Sequence, residues 1–222
     1  MYREMTYVLG MLLLALGAAC ITRANFGMSM VIAPSYLLHL KIVQLLPWFT
    51  FGVAQSIFQT ALLALMCLVI RKFRVSYLLS FVTALIYGVA LDIFVWLVHL
   101  LPALPVVRIL LFIIGVVLSA AGVAMFFRTY IAPEVYELLV ALFADKFHVP
   151  VHRMKTLYDL VSCLLSVVLS FVFFGFGNVV GVGWGTIVTV CLNGFLIGRF
   201  TKWYDSLWDY KDKFPSFRRF MP

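Results

Sequence analysis

The sequence repeats itself at an offset of about 105 residues, and this repeat constrains the fold more than any other feature. Three anchors of the first half return in the second, where Gly10, Gly17 and Arg23 recur as Gly115, Gly122 and Arg128. Ile-Ala-Pro occurs at 32–34 and 131–133, and Val-Thr with a later Gly occurs at 82–88 and 188–194. Because the matches lie near both ends of each half, we predict two copies of one unit, residues 1–100 and 101–200.

The composition assigns the chain to the membrane. Hydrophobic residues make up 64% of the sequence and charged residues 12%, more apolar surface than a soluble core can bury. Crossing the bilayer takes about 20 apolar residues per helix. Such runs lie near residues 6–22, 48–70, 75–98, 106–127, 156–175 and 180–198. We therefore predict an all-α integral membrane protein with six transmembrane helices.

Three spans per half means that the second copy enters the membrane from the side opposite to the first. The predicted fold is therefore two inverted three-helix repeats, a plan found in many secondary transporters.

The basic residues predict the orientation. With both termini on one side, that side carries nearly all Lys and Arg, and the other side carries only Arg23, Lys41 and Arg108. Cytoplasmic loops are enriched in Lys and Arg, so both termini, including a basic and aromatic tail at 201–222, are predicted to be cytoplasmic. The net charge of +8 thus reflects topology and attraction to lipid headgroups. The bilayer is an expected partner and nucleic acid is not.

A short helix is predicted after each Ile-Ala-Pro, from Pro34 to about Leu45 and from Pro133 to about Phe147. Proline suits the first turn of a helix, and Glu134 and Glu137 favour its positive N-terminal end. Each helix either lies flat at the membrane interface or dips into the bundle as a re-entrant element that lines a solute site. The sequence leaves both interpretations open.

Arg23 and Arg128 each end a predicted span, just before a short helix. A snorkelling Arg that anchors a helix end is one interpretation. The other is a direct role in binding solute, since inversion places the two equivalent residues at opposite entrances.

Polar residues inside apolar spans are costly and are candidates for function. Together with the Arg pair and the residues beside the short helices, the predicted substrate-binding set is Arg23, Asn25, Gln55, Gln59, Asp92, Arg128, Glu134, Glu137, Asp159 and Asn193. Asp159 and Lys155, four residues apart, alternatively neutralise one another, and Asn193 alternatively bonds between helices. The two Arg favour an anionic group and the carboxylates a cationic one, so a zwitterion satisfies both.

Residues 23–29, Arg-Ala-Asn-Phe-Gly-Met-Ser, resemble the Arg-Ala-Asn-Leu-Gly-x-Ser signature of bacterial YczE-like membrane proteins. Residues 152–159 and 180–186 are similar to that group's Arg-Thr-x-x-Glu and Gly-x-Gly-Thr patterns. Asp159 stands where the group tends to have Glu, and Trp184 is inserted before Gly-Thr. The resemblance implies a bacterial inner-membrane protein of the YczE/YyaS/YitT kind, and it names no substrate.

We predict a transporter that moves a small polar or ionic solute by alternating access between the repeats, with coupling to a proton or a sodium ion left open. Two alternatives are the substrate-binding membrane subunit of a vitamin importer and an accessory protein that assists maturation or export of a secreted metabolite. The sequence has no His-Glu-x-x-His pair and no convincing nucleophile and base. An enzyme, a metal site and a cofactor are therefore not expected.

Overall fold

The computed structural model describes residues 2–71, 76–102, 104–126, 128–129, 134–175, 181 and 183–208, without the side chains of residues 76, 78, 151, 152 and 190. Within these residues the chain forms eight α-helices: Arg3–Ala24 (α1), Ala33–Ile42 (α2), Phe51–Ile70 (α3), Ser76–His99 (α4), Pro105–Phe126 (α5), Val135–Lys146 (α6), Val151–Phe174 (α7) and Trp184–Leu207 (α8). The predicted all-α class is confirmed.

Five helices in the described part of the chain are long and apolar enough to cross a membrane: Arg3–Ala24, Phe51–Ile70, Leu79–His99, Pro105–Phe126 and Arg153–Phe174. They identify a multi-pass membrane protein. The predicted sixth span overlaps α8, which has 24 residues but carries Asn193 and Arg199 in its apolar stretch. The sixth span and the inverted repeat stay predictions.

The helix ends follow local chemistry. Thr50 precedes α3, and its hydroxyl accepts the Val53 backbone N–H at 3.2 Å, which satisfies a donor that has no partner within the helix. Asn25 ends α1 in the left-handed conformation, with φ 56°, and donates its N–H to Ile21 O. Asn tolerates this conformation better than most residues.

Both predicted short helices are present, as α2 and α6. Pro34 lies in the first turn of α2, as its sequence position predicts, whereas Pro133 lies outside the described residues. α6 contacts both α3 and α7, and half of its residues are buried. It is therefore packed among other helices on more than one side.

The chain divides into two compact units that interleave along the sequence. Unit 1 comprises Met1–Ser29, Ala90–Ile131 and Gly183–Met221, and unit 2 comprises Met30–Val89 and Ala132–Val182. Each unit therefore takes segments from both predicted halves of the sequence.

Unit 1 is built on close contact between α1 and α5, and the repeated glycines make that contact. A Cβ added at Gly17 would lie 2.8 Å from Gly115 O, and one added at Gly122 would lie 2.6 Å from Gly10 O. Early residues of α1 thus meet late residues of α5, so the two helices run antiparallel. Small residues let membrane helices approach this closely, which maximises dispersion contacts.

The start of α8 joins unit 1 through Phe26. The ring of Phe26 packs against Phe112 and Trp184, with ring centroids 5.8 and 4.8 Å apart. Phe26 O accepts the Gly185 backbone N–H at 2.9 Å. A Cβ at Gly185 would lie 2.7 Å from that oxygen, so the glycine-rich stretch permits close approach of two backbones.

The apolar core of unit 2 forms where α6 meets α3 and α4. Its buried members are Leu63, Met66, Tyr77, Ala84, Val135, Leu138 and Leu139. The α6 residues among them fall at helical spacing. This contact packs α6 against the C-terminal half of α3.

We expect Gly17→Ala to lower the free energy of unfolding by about 1–3 kcal/mol, because the new methyl group meets backbone atoms that cannot move aside. Those atoms are Ser119 N at 2.7 Å and Gly115 O at 2.8 Å. Denaturant titration of the protein in detergent micelles measures the change.

Gly194→Ala is the matched control, since a Cβ there meets no atom within 4 Å. It should leave stability unchanged or raise it by up to about 1 kcal/mol through helix propensity. Equal losses in the two variants would contradict the close α1–α5 contact.

Candidate functional site

Two glutamines on α3 form the centre of a buried polar site in unit 2. Gln55 is 0% exposed and Gln59 is 1% exposed. Residues four apart lie on the same helix face, so the two amides are neighbours. Burying an amide is costly unless its atoms find hydrogen-bond partners.

Gln59 meets Glu134, which immediately precedes α6. Gln59 Nε2 donates to Glu134 Oε2 at 2.6 Å, and Glu134 is 2% exposed. The bond joins the middle of α3 to the start of α6 and brings together two predicted site residues that are 75 positions apart. A hydrogen bond to an ionised carboxylate is stronger than one between neutral groups.

Gln55 meets Ser35 on α2. The Ser35 hydroxyl lies 2.8 Å from Ile32 O and also within hydrogen-bond distance of the Gln55 amide. A hydroxyl has one proton, so it donates to one of these groups only. Ile32 O already accepts the Tyr36 backbone N–H at 3.0 Å, so the Ser35 proton is available to Gln55 Oε1, which accepts it.

Several buried polar atoms of unit 2 have no hydrogen-bond partner. They include Gln55 Nε2, Gln59 Oε1, Ser80 Oγ and Asp159 Oδ1. Most buried polar atoms in proteins are paired. Gln55, Gln59 and Glu134 form what we term the buried polar site. Free bonding capacity on both glutamines makes this site a candidate for contact with a polar ligand.

One turn along α6, Glu137 has its own partners. Tyr136 Oη donates to Glu137 Oε1 at 2.9 Å, and the Tyr136 ring stacks on Tyr158 with centroids 5.9 Å apart. The charge of Lys155 acts on Glu137 and also on Asp159, four residues further along α7. Lys155 thus interacts electrostatically with two of the predicted site carboxylates.

Burial controls the protonation of these α6 carboxyls. It raises the pKa of Glu134 to about 8, the charge of Glu137 adds to the rise, and the hydrogen bond from Gln59 opposes it. Burial also raises the pKa of Glu137, against the Tyr136 hydrogen bond and the Lys155 charge. The charged form of a carboxyl is disfavoured wherever water is excluded.

Unit 1 holds the other five predicted residues. Arg23 Nη2 donates to Leu101 O at 2.8 Å, Asn25 is the exposed end of α1, and Arg128 forms an ion pair with Asp205. Asp92 is partly buried on α4, and Asn193 Oδ1 on α8 is buried without a partner. The ten predicted residues thus fall five to each unit.

The comparison with known proteins identifies the family. Residues 1–202 match the Family of unknown function (DUF6198). The chain belongs to this family. It is 28% identical over 199 residues to the uncharacterized protein YyaS of Bacillus subtilis (strain 168), covering 88% of this chain and 90% of YyaS. No solved structure matches. The predicted resemblance to YyaS-like and YczE-like proteins is confirmed.

Ser35 and Asp205 are among the polar partners that the sequence reasoning missed. Ser35 carries a weak signal, because it follows the repeated Ile-Ala-Pro directly. Asp205 is 77 positions from Arg128, and no local pattern joins them. Contacts of this kind exist only once the helices have packed.

We expect the stability of the folded protein to fall as pH rises. The pKa of Glu134 moves from its ordinary 4.5 to about 8 on folding, so the folded state holds this proton more tightly than the unfolded state. The resulting stabilisation is complete below pH 4.5 and is lost as pH rises through about 8. Thermal unfolding in detergent from pH 5 to pH 9 measures this dependence.

Glu134→Gln should make that profile flatter, whereas Asp145→Asn, at an exposed carboxyl on the same helix, should leave it unchanged. A wild-type profile that rises with pH over this window would contradict the assignment.

The Arg128–Asp205 pair should contribute little to stability, because its side chains are 28% and 47% exposed. A double-mutant cycle with Arg128→Ala and Asp205→Ala is expected to give a coupling energy of about 0.2–1 kcal/mol. A much larger coupling would show that the pair is shielded from water.

Proposed function

We propose that this protein is a carrier of the bacterial cytoplasmic membrane, with both termini cytoplasmic, that moves a small polar solute by alternating access. It acts without a cofactor and without covalent chemistry. The observation that carries the proposal is the buried polar site, where two fully buried glutamines beside Glu134 retain unused hydrogen-bonding capacity. In a membrane protein such groups are kept where they contact a solute or an ion.

The contacts within each unit support an inverted repeat. Exchanging the halves of the sequence replaces α1 by α5, α2 by α6, and α3 by α7. Under that exchange the α2–α7 contact becomes the α6–α3 contact, and both are present in unit 2. In unit 1 the approach of Gly10 to Gly122 becomes that of Gly115 to Gly17, and both are present. Two related halves with opposite orientation give a carrier two similar packings, one open to each side.

The environments of Arg23 and Arg128 favour the anchoring interpretation for this pair. Arg23 donates to a backbone carbonyl beyond the end of α4, and Arg128 is neutralised by Asp205. Both residues thus have partners within unit 1. This leaves the polar residues of unit 2 as the better candidates for contact with solute.

The test is uptake into proteoliposomes of a panel of labelled anionic, cationic and zwitterionic metabolites, with thermal stabilisation by the same compounds in detergent. A ligand at about 100 times its dissociation constant should add about 2.7 kcal/mol to the stability of the folded state. We expect one charge class of metabolite, anionic, cationic or zwitterionic, to be both bound and transported.

Gln55→Leu should reduce that uptake about tenfold or more, because it removes the polar atoms of a side chain that faces the site. The matched control is Gln44→Leu, the same change at an exposed position, which should retain uptake. If no compound stabilises the wild-type protein and a second protein copurifies with it, the carrier proposal fails and the accessory-protein alternative gains support.

A further inference from the structure

The buried carboxyl of Glu134 cannot remain ionised without a positively charged partner. Its side chain is 2% exposed, and it accepts a hydrogen bond from the neutral amide of Gln59. An isolated carboxylate removed from water costs far more than one neutral hydrogen bond returns. Glu134 therefore requires either a proton on the carboxyl or a positive charge beside it.

The groups around Glu134 in the described structure supply no positive charge. From its own helix it faces Tyr136 and Glu137, from α4 Tyr87, and from α7 Tyr158. From α3 it faces Gln59. The charge of Lys155 is exerted on Glu137 and Asp159. The charge that reaches Glu134 is that of Glu137, and it is negative.

Two acceptor groups of the site have free bonding capacity. Gln59 Oε1 has no partner, whereas Gln55 Oε1 accepts from Ser35 Oγ and the free atom of that amide is the nitrogen. The Glu134 carboxylate has about four lone-pair positions, of which the Gln59 bond uses one. The Gln59 amide oxygen and the Glu134 carboxylate oxygens match the N–H donors of an ammonium group, which accepts no hydrogen bond.

Resting on the proposed carrier function, we propose that the buried polar site binds a solute through its ammonium group, and that the proton held by Glu134 leaves as the solute binds. The step is balanced: the O–H bond of the Glu134 carboxyl breaks, the proton passes to water, and the carboxylate pairs with the incoming cation. No oxidant or co-reactant is needed. Repeated on both sides of the membrane, this competition exchanges one proton for one ammonium cation.

Proton release makes binding depend on pH. Below the pKa of Glu134, near 8, each bound cation displaces one proton. The apparent affinity should therefore weaken about tenfold for each unit by which pH falls. Above that pKa the carboxyl is already ionised in the protein without solute, and the dependence on pH should disappear.

The experiment uses the full chain in detergent with methylammonium and 1,4-butanediammonium as probes, and with sodium chloride and sodium acetate for comparison. Thermal stabilisation is recorded at pH 6 and pH 9, and proton release is followed in weak buffer with an indicator dye. We expect both ammonium probes to stabilise the protein more strongly at pH 9 and to release about one proton per bound cation at pH 7.

Glu134→Gln should abolish proton release and the pH dependence of stabilisation. Asp145→Asn, which removes an exposed carboxyl from the same helix, should retain both. Stabilisation and proton release by sodium alone would overturn the proposal in favour of an inorganic cation site. Stabilisation by acetate, ammonium binding without proton release, or no response to either ammonium probe would also overturn it.

The outcomes for the site and for the carrier are separable. Uptake of a solute without an ammonium group, sensitive to Gln55→Leu, would leave the carrier function standing and refute the ammonium site. Ammonium binding with proton release but no flux into proteoliposomes would support the ammonium site and refute the carrier.

Discussion

Hydrocarbon offers no water to hydrogen-bond, and every other feature of this protein follows from that constraint. Backbone groups must be satisfied within each spanning segment, so the apolar runs become helices. Association of helices then depends on close packing, since burial from lipid brings little hydrophobic gain. The glycines of α1 and α5 meet this requirement in unit 1, where Gly17 and Gly115 bring two backbones together.

The same constraint makes the few buried polar side chains of unit 2 informative. Apolar residues in place of Gln55, Gln59 and Glu134 would cost less free energy to bury, if these positions served packing alone. Instead, Gln59 donates a hydrogen bond to the Glu134 carboxyl, and each glutamine keeps one amide atom without a partner. The polar groups of such a site are all paired only when a ligand, a proton or both are bound. In the proposed carrier, that dependence on protonation is the physical basis for coupling solute movement to a proton.

Several features of the fold follow from the sequence because their causes are local. The helical class, the short helices after Ile-Ala-Pro and the polar face of α3 each depend on residues within a few turns of one another. The equivalence of Gly10 and Gly115 is also visible along the chain. The pairing of Gly10 with Gly122 is not visible there, because it depends on the antiparallel packing of α1 and α5. The division into interleaved units likewise depends on contacts between distant segments.

The sequence by itself determined that this is an all-α protein of the membrane and supplied all three residues of the buried polar site as candidates. It did so because apolar length and helical spacing are local quantities. Tertiary structure alone decided that Gln59 meets Glu134, that Ser35 orients Gln55, and that Asp205 neutralises Arg128. Each of these contacts joins different helices. A hydrogen bond acts over about 3 Å, so only packing brings such partners within reach.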